Sequence, residues 1–332
     1  MAAIQKGDTI LVTGATGYIG NHVVEELVAA GYKVRGTSRD HTKAQFLIDY
    51  IEKKFGSGKL EVADVPDMIA DDAYDQAVKG VSGIVHLASV VTFSENPDEV
   101  IPPSVKGTLN ILKAATKEPN VKSLVITSSS TAAISPVPNE KIVITADTWN
   151  DKVIEEVRAK GSSAGGYAVY SASKVEAEKA FWSAVKSTNP PFQCATVLPN
   201  ANFGTRFRES GNSTGDMLYG AYTGTSKMLL QIPPQYYVNT SDDAKLHVIA
   251  LTDPACNGER LFGFAGTYNW NDVLNVFRSL EPGKDFGEDV ETGSDLSEVP
   301  NQRAEELLKK HYGHGWVSLE DSIKENIAPY GA

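Results

Sequence analysis

The stretch Thr9 to Gly20, TILVTGATGYIG, decides the fold. It opens as a short β-rich apolar run and passes into Gly14, Gly17 and Gly20. Beyond them Ile19, Val23, Val24, Leu27 and Val28 recur at helical spacing until Gly31 closes the segment. Strand, glycine turn and amphipathic helix in that order are the first half of a right-handed crossover unit. The glycines permit a tight turn, a close approach of the main chain to a pyrophosphate, and close packing of helix on strand, with the helix N-terminus facing the phosphates. Gly14, Thr16, Gly17, Tyr18 and Ile19 are therefore the expected pyrophosphate-facing residues of a dinucleotide site.

The alternation continues. Strands are predicted over Thr9 to Thr13, Lys33 to Thr37, Lys59 to Ala63, Gly83 to Ala88, Ser123 to Thr127 and Gln193 to Leu198, with helical patterns between them. This is the pattern of an α/β protein: a Rossmann-type doubly wound parallel sheet, here with a smaller C-terminal substrate lobe. Beyond Pro199 the alternation stops. The expected division gives residues 1–200 to the dinucleotide-binding domain, with 236–260 returning to it, and 201–235 and 261–332 to the substrate-binding lobe.

Composition removes several function classes. A net charge of −11 over 332 residues repels polyanions, so neither nucleic acid nor an acidic membrane surface is an expected partner. The first residues, MAAIQKGDTI, lack the pattern of a secretory leader, and no window approaches 18 consecutive apolar residues. A cytoplasmic protein is expected, as monomer or homodimer. Cys194 and Cys256 form neither a disulfide framework nor a metal spacing, and the six histidines have no nearby ligand partners, so no metal is expected. His86, inside an apolar strand, reads as a hydrogen-bonded core residue.

The second strand ends in RGTSRD, where an NAD enzyme would usually carry an acid for the ribose diol. Arg39, with Arg35 and Lys43, offers cations suited to a 2′-phosphate, which predicts NADPH as cofactor. Asp64 either meets the adenine amino group or caps the following turn, and Val65 follows it at the same strand end.

Hydride transfer to a carbonyl builds charge on oxygen, so the site needs a proton donor and a group that holds the carbonyl. Tyr170 and Lys174, in YSASK, stand four residues apart at the head of a helix, where the lysine can lower the phenol pKa. About forty residues upstream, the fifth strand runs from Thr127 into Ser128, Ser129 and Ser130 at the strand end where such sheets bind ligands. Ser129 is the preferred carbonyl-orienting hydroxyl of the three. Val91, Phe93, Asn200 and Phe203, with Tyr170 and Ser129, are the expected substrate contacts. Met217, Tyr219, Tyr222 and Met228 add adaptable apolar walls.

GATGYIG, RGTSR, HLASVV, KGTLNIL, VITSSS, YSASK, VLPN and PPQYYV stand in the order found in one family. Over roughly residues 8 to 330 the chain resembles the extended short-chain dehydrogenases, in the branch of fungal aldehyde or carbonyl reductases and plant dihydroflavonol reductases. The resemblance implies Ser129, Tyr170 and Lys174 as catalytic and Arg39 on the 2′-phosphate. It also implies Ala88 and Ser89 along the nicotinamide ribose, and Leu198 and Asn200 beside the ring. The implied activity is NADPH-dependent reduction of aldehydes, ketones and keto esters. One departure lies at Thr145-Ala146-Asp147-Thr148-Trp149, where relatives often carry Asp-Glu. Two other functions share these features: a nucleotide-sugar epimerase or dehydratase, for which Arg206 and Arg208 are the available diphosphate cations, and a non-catalytic NADP-binding sensor.

Overall fold

The computed structural model describes residues 4–226 and 232–330. Its strands are β1 (Thr9–Thr13), β2 (Lys33–Ser38), β3 (Leu60–Asp64), β4 (Gly83–His86), β5 (Ser123–Thr127), β6 (Gln193–Pro199), β7 (Ala201–Phe203), β8 (Gln235–Asn239), β9 (Arg260–Gly263) and β10 (Gly266–Tyr268). Seven of them form one sheet in the order β3-β2-β1-β4-β5-β6-β9, with every neighbouring pair parallel. Parallel strands are covered on both faces, which is why β4 and β5 read as continuous buried runs rather than alternating ones. The order reverses between β1 and β4. That reversal opens a crevice at the strand C-termini, where ligands of such sheets bind.

The helices sort by their apolar stripes. From α1 (Tyr18–Ala29), Val23, Val24, Leu27 and Val28 face one side of the sheet together with Leu246, Ile249 and Ala250 of α7 (Thr240–Thr252). On the other side, Ile111, Leu112 and Ala115 of α3 (Pro97–Lys117) share a core with Phe181 of α5 (Gly166–Thr188). A second sheet, ordered β10-β8-β7, packs against α6 (Thr214–Thr223), α8 (Trp270–Leu280) and α10 (Leu319–Ile327). Leu218, Tyr237, Tyr268, Val273, Phe277 and Ile323 are among the core residues of that lobe.

All six strands predicted before Pro199 are present, within two residues at their ends. The later border differs from the expectation in three places. The strand at Tyr236 belongs to the small sheet, so only the helix after it returns to the large one. Arg260–Gly263, of which the sequence division gave all but Arg260 to the substrate lobe, completes the large sheet beside β6. The helix Gln302–Tyr312 buries Ala304, Leu307 and Leu308 in the core beneath α1 and α7, although it lies inside the segment assigned to the lobe. Four residues of edge strand and one late helix carry too short a pattern to reveal which sheet they join; tertiary packing decides that.

Candidate active site

Gly14 adopts φ +67, and a Cβ there would stand 3.0 Å from the Ala88 nitrogen. At Gly20 a Cβ would come within 2.2 Å of the Gly14 carbonyl oxygen. Both contacts are with main chain, so neither residue can carry a side chain without the loop moving. The first helical bond runs from Asn21 N to the Gly17 oxygen. Gly17 caps α1 without a side-chain hydrogen bond and the first turn holds no acid, so the N–H groups there face the crevice without an anionic competitor. This is a fit for a diphosphate. Thr16 and Ile19 sit half-buried in the same turn. Tyr18 turns the other way: its buried phenol donates to the Gly204 oxygen at 2.8 Å, so the side chain joins α1 to the lobe instead of facing the expected pyrophosphate.

At the adenosine end, Arg39 and Lys43 are exposed and, among the described residues, their side chains form no hydrogen bond or ion pair. Arg35 is engaged, donating to Glu61 at 2.5 Å and to the carbonyls of Ala77 and Lys79 at 2.9 and 2.7 Å. Its place in the 2′-phosphate cluster is thereby removed, because β2 points it toward β3 and not into the crevice. Asp64 accepts from His41 N at 2.7 Å and pairs with His41 Nδ1 at 2.9 Å, which raises the imidazole pKa. Asp64 thus caps the turn after β2 instead of the turn that follows its own strand. Val65 is a core residue on the α3 side of the sheet.

Beside the nicotinamide end of this crevice, α5 brings Tyr170 and Lys174 to the tip of β5. Lys174 Nζ lies 5.8 Å from the Tyr170 ring centroid. Burial pushes the Lys174 ammonium down to about 8, opposed by the Glu178 carboxylate. Burial raises the Tyr170 phenol, and the nearby Ser129 hydroxyl works the other way. The serine run divides its work. Ser128 donates to Glu178 Oε2 at 2.7 Å, whereas the Ser129 hydroxyl accepts from Thr131 N and Oγ1 at 3.3 and 3.1 Å and lies on the Tyr170 side. Ala88, Ser89, Thr127 and Lys174 surround one small cavity with His86 and Glu178. His86 is a core residue as expected. Its Nδ1 pairs with Thr13 Oγ1 at 2.8 Å, and burial drives its pKa down to about 3, so the ring is neutral.

Phe93 stands at the mouth, its ring centroid 5.1 Å from that of Tyr170. Its φ of +50 is strained for an aromatic residue. Val91 and Phe93 are exposed beside it, as is Tyr167. A residue that sequence reasoning passed over holds this loop: a Cβ on Gly166 would meet the Phe93 carbonyl oxygen at 2.0 Å. Gly166 lies one helical turn before Tyr170, which is the signal that points to it. Two expected contacts are elsewhere. Phe203 is wholly buried with its ring edge-on to Tyr268 in the lobe core, and Leu198 is enclosed by the core around Phe262 and Phe264. Asn200 is half-buried at the end of β6, where its Oδ1 accepts from Ala201 N. Met217 and Tyr219 are half-buried, Tyr222 hydrogen-bonds Glu281 and stacks on Phe286, and Met228 lies outside the described residues.

The cations expected for a diphosphate are also committed. The Arg206 guanidinium is buried 3.6 Å over the Tyr219 ring and donates to the carbonyls of Asn326 and Ala328 at the end of α10. Arg208 donates to the Gly211 carbonyl. Glu178 and Arg260 form a buried pair that sequence reasoning did not single out.

The model of the NAD dependent epimerase/dehydratase family matches residues 10–221. The chain belongs to that family. It is 41% identical over 333 residues to aldehyde reductase 2 of Sporidiobolus salmonicolor, covering 98% of this chain and 97% of that protein. Identity to the ketoreductase adrE of Penicillium rubens is 36%, over 98% and 97% of the two chains. Among solved structures, Gre2 of Candida albicans in complex with NADPH superposes with a TM-score of 0.82 at 26% identity, covering 96% of this chain and 98% of that one. The resemblance to extended short-chain dehydrogenases of the fungal aldehyde reductase branch is borne out.

Because Arg206 is buried and satisfies two helix-end carbonyls, Arg206→Ala is expected to cost about 3 kcal/mol of unfolding free energy in denaturant titration. A cation that served only a ligand would leave the unfolding midpoint unchanged when removed.

Proposed function

We propose that this chain is an NADPH-dependent reductase of aldehydes, ketones and keto esters, with Tyr170 as proton donor. The observation that carries this reading is the meeting of Ser129, Tyr170 and Lys174 beside a glycine-lined crevice whose helix N-terminus has no cap of its own. When bound, NADPH supplies the hydride. The protein's part is to hold the carbonyl and deliver the proton. The Ser129 hydroxyl lies near enough to the Tyr170 phenol to lower its pKa, and the two can share a carbonyl oxygen. Burial keeps the phenol protonated, the state a donor needs. Lys174, when charged, favours the phenolate left after transfer and can hold the nicotinamide ribose. Arg39 and Lys43 are the cations left for the 2′-phosphate, and Ala88 and Ser89 line the ribose side of the crevice.

The substrate class follows from the rim. Phe93 and Val91 present exposed apolar surface next to Tyr170, suited to a medium-sized apolar carbonyl compound. The names of the relatives agree with carbonyl reduction. For a nucleotide sugar the same site lacks provision, because Arg206 is bound to helix-end carbonyls. A sensor without catalysis would not need the three polar groups at one point. We further infer a cytoplasmic setting; no helix among the described residues is long and apolar enough to cross a membrane.

Tyr170→Phe should bind NADPH nearly as tightly as the wild type while losing turnover by about 10² or more. The assay follows NADPH oxidation with an aryl ketone, a β-keto ester, an aliphatic aldehyde and a UDP-sugar. Saturable turnover of the first three is expected; epimerised sugar without net cofactor consumption would overturn the reading.

Arg39→Ala should erode the preference for NADPH over NADH roughly 10- to 100-fold, the scale of a charge-assisted contact, and chiefly through KM for NADPH. A wild-type enzyme that uses both cofactors equally would remove the premise.

A further inference from the structure

The helix that carries Tyr170 and Lys174 places a third ionisable residue at the next four-residue step. Tyr170, Lys174 and Glu178 recur on one face of α5, and Lys174 and Glu178 line the same small cavity behind the phenol. Glu178 is almost wholly buried and fully bonded. Its Oε2 accepts from Ser128 Oγ at 2.7 Å and Arg260 Nη2 at 3.2 Å. Its Oε1 accepts from Thr196 Oγ1 and Arg260 Nε, both at 2.8 Å, and from Trp182 Nε1 at 3.3 Å. Donors come from α5, β5, β6 and β9, so the carboxylate fixes where these elements stand relative to one another.

Arg260 extends the network outward. Its Nη1 donates to the carbonyls of Ala146 and Thr148 at 2.7 and 2.8 Å, and the guanidinium lies 3.9 Å over the Trp149 ring. This is the loop in which the chain departs from the pattern of similar sequences. It is anchored here through main-chain carbonyls, which makes the anchor indifferent to the side chains at Ala146 and Thr148.

We propose that Glu178, clamped by Arg260, is a positioning residue for the reduction: it keeps Lys174 charged and holds the Ser128–Ser129 strand end against Tyr170. The proposal rests on the assignment of Tyr170 and Lys174 to catalysis. Its electrostatic half follows from what faces Lys174. On α5 these groups are Tyr170 and Glu178; from β4 comes His86, held neutral by burial; β5 and α3 contribute only the hydroxyls of Thr127, Ser128 and Thr108. Glu178 is thus the negative charge that opposes the loss of the ammonium. Its mechanical half follows from Ser128, whose hydroxyl is tied to Glu178 while its neighbour Ser129 meets the phenol.

The sign of the test is fixed by the lysine. Burial places its titration at about 8, so kcat/KM for reduction should fall as pH rises through that value. Removing an opposing carboxylate moves the limb down by about one unit or more. Glu178→Gln should therefore lose roughly fivefold or more relative to wild type at about pH 8.5 and recover to within about twofold near pH 6. Glu178→Gln leaves Arg260 uncompensated in the core and is checked by thermal unfolding. Glu178→Gln/Arg260→Gln, which buries no charge, takes its place if the single variant does not fold. Ser128→Ala, which keeps both charges, should lower kcat severalfold at every pH with the limb where the wild type has it. The proposal is overturned if a folded variant without the carboxylate keeps the wild-type limb, or if Ser128→Ala shifts the limb as far as Glu178→Gln does. Tyr170→Phe is run alongside. Retained turnover in that variant defeats the catalytic assignment itself, whereas its loss together with an unmoved limb defeats only the role of Glu178.

Discussion

Where α1 crosses the end of β1, the Gly14 carbonyl oxygen fills the space that any side chain on Gly20 would need, at 2.2 Å from an ideal Cβ. That close approach sets how deeply α1 sits on the sheet and hence where its uncapped N-terminus points. Gly14 faces Ala88 across the β4 end in the same manner. Two main-chain contacts thus bring the helix N–H groups, the β1 turn and the loop after β4 into one crevice. A methyl group at either glycine would move all three.

α5 acts as the ruler of the chemistry. One helical turn separates Gly166, Tyr170, Lys174 and Glu178 in succession, and each meets a different partner: the Phe93 carbonyl, the Ser129 hydroxyl, the cavity behind the phenol, and the Arg260 guanidinium. Because these partners sit on separate loops and strands, a single rigid helix sets the mouth, the phenol and the charge behind it together. The strained backbone at Phe93 persists because α5 presses against it where Gly166 leaves room.

The lobe is tied to α1 by polar contacts as well as by Phe207, which joins the core around α1 and packs edge-on against His22. Tyr18 donates to the Gly204 carbonyl, Asn326 Nδ2 donates to the same oxygen at 3.0 Å, and His22 Nε2 meets the Thr205 carbonyl at 2.9 Å. Arg206 then binds the end of α10. The residues that looked available for a ligand, Tyr18 and Arg206, are consumed in this join. It follows that the lobe and the crevice share one frame, and that Arg39 and Lys43 remain as exposed cations outside this join.

The sequence alone determined the strand run through Pro199, the glycine turn, the spacing of Tyr170 and Lys174, and the core position of His86. Each rests on a local pattern: period, turn chemistry or one helical step. It also narrowed Ser128 to Ser130, but only the fold separated them, by giving Ser128 to Glu178 and Ser129 to Tyr170. The direction a side chain takes was the recurrent loss. Tyr18, Arg35, Phe203 and Leu198 carry suitable chemistry at suitable positions, yet packing turned them toward the lobe, Glu61, Tyr268 and the Phe262 core. Glu178 and Arg260 are 82 positions apart, and Gly166 and Phe93 meet across a similar gap in the chain. No period or motif connects residues at such separations. Their pairing exists only because β6, β9 and α5 close around the same point, and that closure is a property of the assembled core.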